Sequence, residues 1–405
     1  MERRESILQQ VEGAKPYKLL VKELKRKSVT VHLENLVGGA LSLYSAAAIQ
    51  KLGGVHIFVA EDRDAAAYML NDFYALLDED RVCFFPTSYK KSILYGKEDA
   101  QGVVQRTNTL NAIRHCRDGY VVVCTYPDAL AERVADEGAI SERSMRLSVG
   151  DHIAISDFAD KLSERGFTQV DFVYEPGQYS LRGGIVDVFS YSESRPFRFD
   201  FFGDEIDSIR RFNISSQLSY DKAESVEIIP DLNTADMEKV SLVRFAGDAT
   251  CWFYDADYVF KRVNDLRRRV LGEMEEPSKI DTILTSRNGL LRDLEGCTLC
   301  LLRDNLKERI ADSVVTFRTA PQPQFNKNFE VLADDLEDAA LKGFKSYILS
   351  ENRAQTERLE NIFHQMGRKN VSFEAIAITL HDGFIDQDLK IQLYTDHRIF
   401  DRYRR

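Results

Sequence analysis

The sequence has no long hydrophobic segment, and its first residues do not resemble an export signal. None of its 405 residues lies in an unbroken apolar run approaching the roughly 20 residues of a membrane span. The opening residues, MERRESILQQ, also lack the apolar core of a secretory signal. We therefore expect a cytoplasmic protein with no membrane contact.

Cysteine is also scarce. Six cysteines scattered over this length do not form the dense pattern of a disulfide-rich secreted domain. Cys297 and Cys300 make a C-x-x-C, but the segment GCTLCLL is typical of a buried strand. No second cysteine pair or histidine cluster lies near it in sequence. The sequence therefore predicts no metal site, no redox centre and no bound cofactor.

An excess of positive charge is absent as well. The net charge of −11 argues against a surface built mainly to bind DNA, because phosphate binding requires clustered Lys and Arg. The densest basic stretch, KELKRK at residues 22–27, ends a helix-like segment, where the helix dipole favours cations. We expect weak duplex DNA binding without sequence preference.

The patterning predicts an α/β protein of several domains. Over residues 29–139, strand-like runs alternate with amphipathic helical stretches, which indicates a parallel sheet covered by helices. A β-rich segment follows, and α/β character then returns. Linker-like stretches at 136–144, 226–236 and 318–328 suggest the boundaries. The predicted parts are 1–140 and 231–320 for the sheet domain, 141–230 for an inserted domain, and 321–405 for a small α/β domain.

The first loop of such a sheet is where a nucleotide would bind, but its chemistry is degenerate here. Compared with a P-loop, Asn35 stands at the first glycine and Ala40 at the second. Leu41 replaces the lysine that would reach the phosphates, and only Ser42 could still meet Mg²⁺. The degenerate nucleotide loop is defined here as Asn35, Gly38, Gly39, Ala40, Leu41 and Ser42. We expect no ATP hydrolysis by this domain.

A second helicase-like motif is also incomplete. The apolar segment ATCWFYDADYV ends in Asp255, as a Walker B strand does. Ala256 stands where a helicase would have the glutamate that prepares the attacking water. This degenerate motif II agrees with the loss of the P-loop lysine.

The segment at residues 178–212 has strand periodicity with unusual surface residues. Alternation in PFRFDFF places three phenylalanines on one face, namely Phe197, Phe199 and Phe201. It places Arg198, Asp200 and Phe202 on the other face. The first set reads as core, whereas an aromatic beside arginine is typical of protein interfaces. The alternative is that Phe202 is buried under a neighbouring loop.

These motifs resemble the UvrB-homology region of the bacterial transcription-repair coupling factor family. PGQYSLRGGIVDVF and PFRFDFFGDEIDSIRRFN carry the likeness, and the end of the chain, YTDHRIFDRYRR, is similar to that of the small domain following this region. The resemblance implies a degenerate RecA-like domain with an inserted domain that binds the damage sensor UvrA. UvrB itself has a related segment, but no tyrosine-rich hairpin follows FFPTSY at residues 84–89 here.

The resemblance implies a non-catalytic module that recruits UvrA by mimicking UvrB, through Arg182, Arg198 and Phe202. Arg182 precedes Gly183, where a bulge or tight bend can turn a side chain outward. We therefore expect the three side chains to form one exposed patch. The alternative is that the arginines form internal salt bridges with Asp187, Asp200 or Asp204 and that Phe202 belongs to the core.

The family's polymerase-binding domain, translocase motor and C-terminal autoinhibitory domain are not recognisable, so the chain is expected to be part of a longer protein. Contact with RNA polymerase and DNA, and masking by the C-terminal domain, would involve those missing domains. A UvrB-like ATP-dependent helicase is the alternative, opposed by Leu41 and Ala256. An enzyme acting on a small molecule has less support, because the seven histidines are dispersed. His32 and His56 lie in strand-like runs, which favours buried, hydrogen-bonded histidines.

Overall fold

The computed structural model describes residues 2–90, 98–234, 236–303 and 310–401, with the backbone alone for residues 2 and 3. It contains a parallel sheet flanked by helices, a separate β-rich sheet inserted into that domain, and a smaller mixed sheet. The predicted fold class, a RecA-like parallel-sheet domain with an inserted β-rich domain and a following α/β domain, is confirmed.

The first part of the chain alternates helices and strands as the sequence predicts. Its elements are α1 (Glu2–Val11), α2 (Lys15–Leu24), β1 (Thr30–Glu34), α3 (Gly39–Leu52), β2 (Gly54–Val59), α4 (Arg63–Leu76), β3 (Val82–Phe84), α5 (Ala100–Arg114), β4 (Tyr120–Thr125), α6 (Pro127–Ala131) and β5 (Val134–Ala135). The strands β2 and β4 are almost wholly buried, which explains their continuous apolar sequences.

The inserted part is built mainly of short strands. Its elements are α7 (Glu137–Arg143), β6 (Met145–Ser148), α8 (Ile155–Glu164), β7 (Thr168–Gln169), β8 (Gln178–Arg182), β9 (Ile185–Val188), β10 (Phe197–Phe202), β11 (Glu205–Phe212), β12 (Ser219–Ala223) and β13 (Ser225–Ile228). Six of the described strands form one sheet in the order β12-β11-β10-β9-β8-β7. Helix α8 covers its inner face, where the Phe158 and Phe199 ring centroids lie 5.3 Å apart.

A short ladder lies where the chain enters and leaves this part, because strands β6 and β13 pair antiparallel. The linker predicted at 136–144 is instead largely the helix α7. The Asp136 side chain caps this helix by accepting a hydrogen bond from the Ala139 amide at 2.7 Å, a local signal that the linker interpretation overlooked.

The chain then returns to the parallel sheet. The returning elements are β14 (Lys239–Val240), α9 (Leu242–Ala246), β15 (Ala249–Phe253), α10 (Ala256–Glu273), α11 (Ile280–Ile283), α12 (Arg287–Asp293), β16 (Thr298–Leu301) and β17 (Ser313–Thr316). The seven described strands have the order β17-β1-β16-β15-β2-β4-β3, and all neighbours are parallel. Strands β15 and β16 therefore lie between β1 and β2, so both sides of the insertion build one sheet.

The last part forms a smaller mixed sheet with helices. Its elements are β18 (Thr319–Pro321), α13 (Phe329–Leu341), β19 (Lys345–Leu349), α14 (Arg353–Gln365), β20 (Glu374–Ile376), β21 (Phe384–Asp386), β22 (Ile391–Thr395) and α15 (Asp396–Ile399). The described strands have the order β18-β21-β22-β19-β20. The stretch 318–328, predicted as a linker, contributes the edge strand β18, which pairs antiparallel with β21. Its terminal proline is compatible with an edge position.

The C-x-x-C segment is buried, as the sequence analysis expects. Cys297 and Cys300 are buried, as the strand interpretation of this segment predicts, and burial raises the pKa of the Cys300 thiol. None of the six cysteines takes part in a disulfide bond within the described residues. Within the described ranges, no helix is both long enough and apolar enough to cross a membrane.

Candidate partner-binding surface and nucleotide loop

The outer face of the inserted sheet carries the residues that the sequence singled out. The strand register aligns Ser180, Asp187 and Arg198 across β8, β9 and β10. Phe197 and Phe199 point to the opposite, fully buried face, so the predicted period-two alternation is confirmed for them. The outer face is therefore a polar surface above an aromatic core.

A buried carboxylate is the centre of this outer face. Asp187 is 1% exposed, and its Oδ2 accepts a hydrogen bond from Nη2 of Arg182 at 2.5 Å. Arg198 donates to the same carboxylate through Nε at 2.8 Å and Nη2 at 2.9 Å. Both arginines therefore form an internal ion pair, as the alternative interpretation of the sequence stated. Because two guanidinium groups share one carboxylate, the cluster has one net positive charge.

Arg198 is held on several sides and is largely covered. Its Nη1 and Nη2 donate to the carbonyl and side-chain oxygens of Gln217 at 3.3 and 3.1 Å. The guanidinium carbon lies 4.2 Å from the Phe212 ring centroid. Hydrogen bonding to Asp187 raises the pKa of Arg198. Only 12% of the Arg198 side chain is exposed, so the expected exposure of this residue is not found.

Arg182 is more accessible than Arg198. Its side chain is 35% exposed, and the residue precedes the turn at Gly183, whose φ of 61° lies in the left-handed region that favours glycine. The Phe172 ring centroid lies 4.8 Å from the guanidinium carbon of Arg182, in cation–π geometry. One side of Arg182 is therefore bound to Asp187, while an aromatic ring covers another.

Phe202 is a strongly exposed aromatic side chain at the end of β10. It is 82% exposed and lies beside the turn at Gly203. This exposure excludes the alternative that Phe202 is buried under a neighbouring loop. The ring of Phe202 is therefore accessible to a partner.

The other candidate acidic partners are engaged elsewhere. Asp200 pairs with Arg210 and accepts a hydrogen bond from the Ser208 hydroxyl at 2.9 Å. Asp204 lies 3.2 Å from Nδ1 of His152. Asp187 is thus the carboxylate that Arg182 and Arg198 share.

The degenerate nucleotide loop lies at the end of β1. Asn35 and Gly38 have φ values of 57°, and helix α3 begins at Gly39. Leu41, at the position of the P-loop lysine, is 7% exposed and packs in the core. The Ser42 hydroxyl donates to the buried Asp72 carboxylate at 2.8 Å. Ser42 is therefore engaged within the protein.

A loop from the last domain fills the space above the two glycines. A Cβ atom on Gly39 would lie 2.2 Å from the carbonyl oxygen of Asp382, and one on Gly38 would lie 2.9 Å from that of Gly383. The amide of His381 donates to Asp72 at 2.7 Å. Backbone atoms of the last domain thus pack directly against these two glycines.

A buried hydrogen bond further joins these two parts. The Tyr44 hydroxyl on α3 donates to Asp386 Oδ2 at 2.5 Å, and both residues are fully buried. Burial and the neighbouring Asp386 carboxylate raise the pKa of Tyr44. The loop and the last domain are therefore attached to α3 by polar as well as apolar contacts.

Asp255 of the degenerate motif II has a local structural role. Its side chain caps helix α10 by accepting a hydrogen bond from the Tyr258 amide at 3.0 Å. Ala256, the second residue singled out in this motif, is the first residue of this helix and is 1% exposed. Strand β16 lies between β15, which leads into this motif, and β1, which leads into the degenerate nucleotide loop.

Two further expectations are the absence of a tyrosine-rich hairpin and the absence of a metal site. The segment following Tyr89, where the sequence lacks a tyrosine-rich hairpin, includes residues 91–97, which lie outside the described residues. In the part of the chain that the structure describes, no group of three or more His, Cys, Asp and Glu side chains could hold a metal ion.

Comparison with known proteins finds similarity in the inserted domain. Residues 145–233 match the model of a family described as the UvrB interaction domain. The chain is 27% identical over 199 residues to the transcription-repair-coupling factor of Bacillus subtilis, covering 49% of this chain and 17% of that relative. The corresponding protein of Escherichia coli is 29% identical over 128 residues, or 32% of this chain and 11% of that relative.

The resemblance to the transcription-repair-coupling factor family is confirmed. The protein of Haemophilus influenzae gives a similar match, 27% identical over 200 residues, with 49% of this chain and 17% of that relative covered. This chain thus spans less than a fifth of the curated relatives that it matches. Arg182, Arg198 and Phe202 all fall within the matched UvrB interaction domain.

Three residues that shape these sites were not predicted to do so. Asp187 was only one of several possible partners, and register decides its role because it lies opposite Arg198. Phe172 lies outside the alternating strands, so periodicity gives no signal for it. Asp72 lies within helix α4, and its contacts with Ser42 and His381 depend on long-range packing.

Proposed function

We propose that this chain is a non-catalytic module of a transcription-repair-coupling factor and that its inserted domain recruits UvrA. The observation that carries this proposal is the 82% exposure of Phe202 within the region matching the UvrB interaction domain. Mimicry of UvrB explains why such a domain occurs in a protein whose relatives are transcription-repair-coupling factors.

The surface supports distinct roles for its three residues. Phe202 is the apolar anchor that UvrA removes from water. Arg182 supplies an accessible guanidinium with donors left for a carboxylate. Arg198, whose side chain is 12% exposed, is a positioning residue that fixes Asp187 and thereby Arg182.

The degenerate nucleotide loop supports a non-catalytic role. Phosphoryl transfer needs charge stabilisation beside the phosphates, and a buried Leu41 supplies none. The full-length protein would be an ATP-dependent DNA translocase that displaces stalled RNA polymerase. We assign contacts with polymerase and DNA, and autoinhibition, to domains outside this chain.

The test is a binding titration of the purified chain with UvrA, followed by calorimetry. We expect saturable binding by the wild-type chain. Phe202→Ala should weaken it by roughly 5- to 1,000-fold, equivalent to about 1 to 4 kcal/mol at a hot spot. Leu341→Ala is the control, because Leu341 is 87% exposed but lies on α13 of the last domain.

Two results would contradict the assignment. Absence of measurable binding by the folded wild-type chain would exclude recruitment through this domain. Equal affinities for wild type, Phe202→Ala and Arg182→Ala would place any binding site elsewhere. Circular dichroism and thermal midpoints of each variant separate lost contact from lost folding.

A further inference from the structure

The segment preceding β8 presents two exposed aromatic side chains, one of which lies next to Arg182. Phe172 is 55% exposed and Tyr174 is 62% exposed, whereas Val173 between them is 2% exposed. Val173 therefore anchors the segment in the domain, and its neighbours face solvent.

Backbone contacts hold this segment in place. The Val170 amide donates to the Tyr179 carbonyl at 2.9 Å. The side-chain oxygen of Gln178 accepts hydrogen bonds from the Tyr174 and Glu175 amides at 3.0 and 3.2 Å. Because the loop is bound at both ends, little conformational entropy is lost when a partner contacts Phe172.

We propose that Phe172 is a second aromatic anchor of the UvrA-binding surface, which places Arg182 within an aromatic and cationic docking site. This inference rests on the proposed recruitment of UvrA. Phe172 contacts the guanidinium of Arg182 on β8, at 4.8 Å. Phe202 lies on β10, separated from β8 by β9, so the surface spans three adjacent strands.

The charges define the partner chemistry. Arg182 and Arg198 share the single carboxylate of Asp187, which leaves one net positive charge beside the aromatic rings. The fitting surface of UvrA is a carboxylate flanked by apolar side chains. The cation–π contact and the ion pair with Asp187 hold the Arg182 guanidinium in one orientation, and the exposed part of its side chain can donate to that carboxylate.

The experiment compares Phe172→Ala and Phe172→Trp with a matched control in the same domain. Tyr220 is 53% exposed and its ring lies 4.7 Å from the Arg195 guanidinium carbon, but it lies on β12, the opposite edge strand of the sheet. Tyr220→Ala therefore removes a similar exposed cation–π pair at a different place.

UvrA affinity and thermal midpoint are measured for each variant. We expect Phe172→Ala to weaken UvrA binding by about tenfold or more without a lower midpoint. Phe172→Trp should retain affinity within about threefold, because it keeps both the apolar area and the cation–π contact. Tyr220→Ala should also stay within about threefold of wild type.

The outcomes distinguish this inference from the proposed function. If Phe202→Ala loses binding and Phe172→Ala does not, Phe172 is not an anchor, while recruitment of UvrA stands. If the wild-type chain does not bind UvrA, both proposals fail. If Phe172→Ala instead weakens binding to a single-stranded oligonucleotide and leaves UvrA binding intact, the ring serves a nucleic acid and the inference is overturned.

Discussion

The indole Nε1–H of Trp252 donates a hydrogen bond to Nδ1 of His56 at 3.2 Å. The other ring nitrogen, Nε2, lies 2.8 Å from the Gly53 carbonyl oxygen and donates to it. These contacts define a neutral histidine with its proton on Nε2, since protonated Nδ1 could not accept from Trp252. Burial lowers the pKa of His56 to about 4.

The first prediction is that this histidine makes stability depend on pH. Below about pH 6.5 the unfolded chain binds a proton at His56 that the folded chain rejects, so stability falls as pH falls toward 4. The slope from this group is about 1.4 kcal/mol per pH unit in that window. Urea unfolding between pH 7.5 and 4.5 measures it.

His56→Gln should remove this contribution, because glutamine does not titrate. His115→Gln is the control, since the His115 side chain is 54% exposed. If the free energy of unfolding of His56→Gln falls with acidity as steeply as that of wild type, His56 is not the group responsible. The His115→Gln control should keep the wild-type pH dependence.

The second prediction contrasts two phenylalanines of β10. Phe202→Ala should change the free energy of unfolding by no more than about 0.5 kcal/mol, because Phe202 is 82% exposed. Phe199→Ala should cost about 3 to 5 kcal/mol, because this ring is fully buried against α8. Chemical denaturation of both variants is the measurement, and a similar loss for both would place Phe202 in the core.

The third prediction concerns the arginines that share Asp187. Arg198→Ala should lower stability by about 1 to 3 kcal/mol, because it removes charged hydrogen bonds to a buried carboxylate. Arg182→Ala should cost about 1 kcal/mol or less, because its side chain is 35% exposed and Arg198 still neutralises Asp187. Thermal and urea unfolding test this order, and the reverse order would refute a mainly positioning role for Arg198.

The fourth prediction concerns the contact above the degenerate nucleotide loop. Gly39→Ala should lower stability by about 1 to 3 kcal/mol, because its Cβ would lie 2.2 Å from the Asp382 carbonyl oxygen. Gly272→Ala is the matched control in helix α10, where a Cβ meets nothing within 4 Å. Alanine should stabilise that helix by up to about 1 kcal/mol. Equal effects on the free energy of unfolding would exclude close packing at Gly39.

The fifth prediction is that the chain neither binds ATP tightly nor hydrolyses it. Restoring the lysine with Leu41→Lys should not create an ATP site, because backbone of the last domain lies against Gly38 and Gly39. Labelled-nucleotide binding and phosphate release are the measurements. Steady ATP turnover by the wild-type chain that Ser42→Ala abolishes would contradict this expectation.

Local patterns predicted much of the fold. Continuous apolar runs such as YVVVC identified buried parallel strands, and alternation in PFRFDFF assigned Phe199 to the core. The predicted linkers failed where local hydrogen bonding built regular structure, as in helix α7 capped by Asp136. Tertiary pairing likewise converts part of the 318–328 stretch into β18.

The candidate site was only partly readable from the sequence. Periodicity placed Phe202 and Arg198 on one face, and the motif context selected both with Arg182. The sequence could not show that Arg182 and Arg198 both pair with the buried Asp187, because this pairing depends on cross-strand register. The contact of Phe172 with Arg182 joins a loop residue to a strand, and strand periodicity gives no signal for it. The position of the loop at His381 depends on packing against Asp72, which is far away in sequence.

The loop contact at Gly38 and Gly39 changes what the glycine-rich sequence of this chain means. In a phosphate-binding loop, glycine permits close approach of a ligand; here it permits close approach of the carbonyls of Asp382 and Gly383. The last domain is thus a permanent neighbour of this loop, present in equal number because it belongs to the same chain. Cutting the chain after residue 320 would remove the Asp386 acceptor of the buried Tyr44 hydroxyl and the His381 amide that donates to Asp72, so we expect the separated sheet domain to be prone to aggregation.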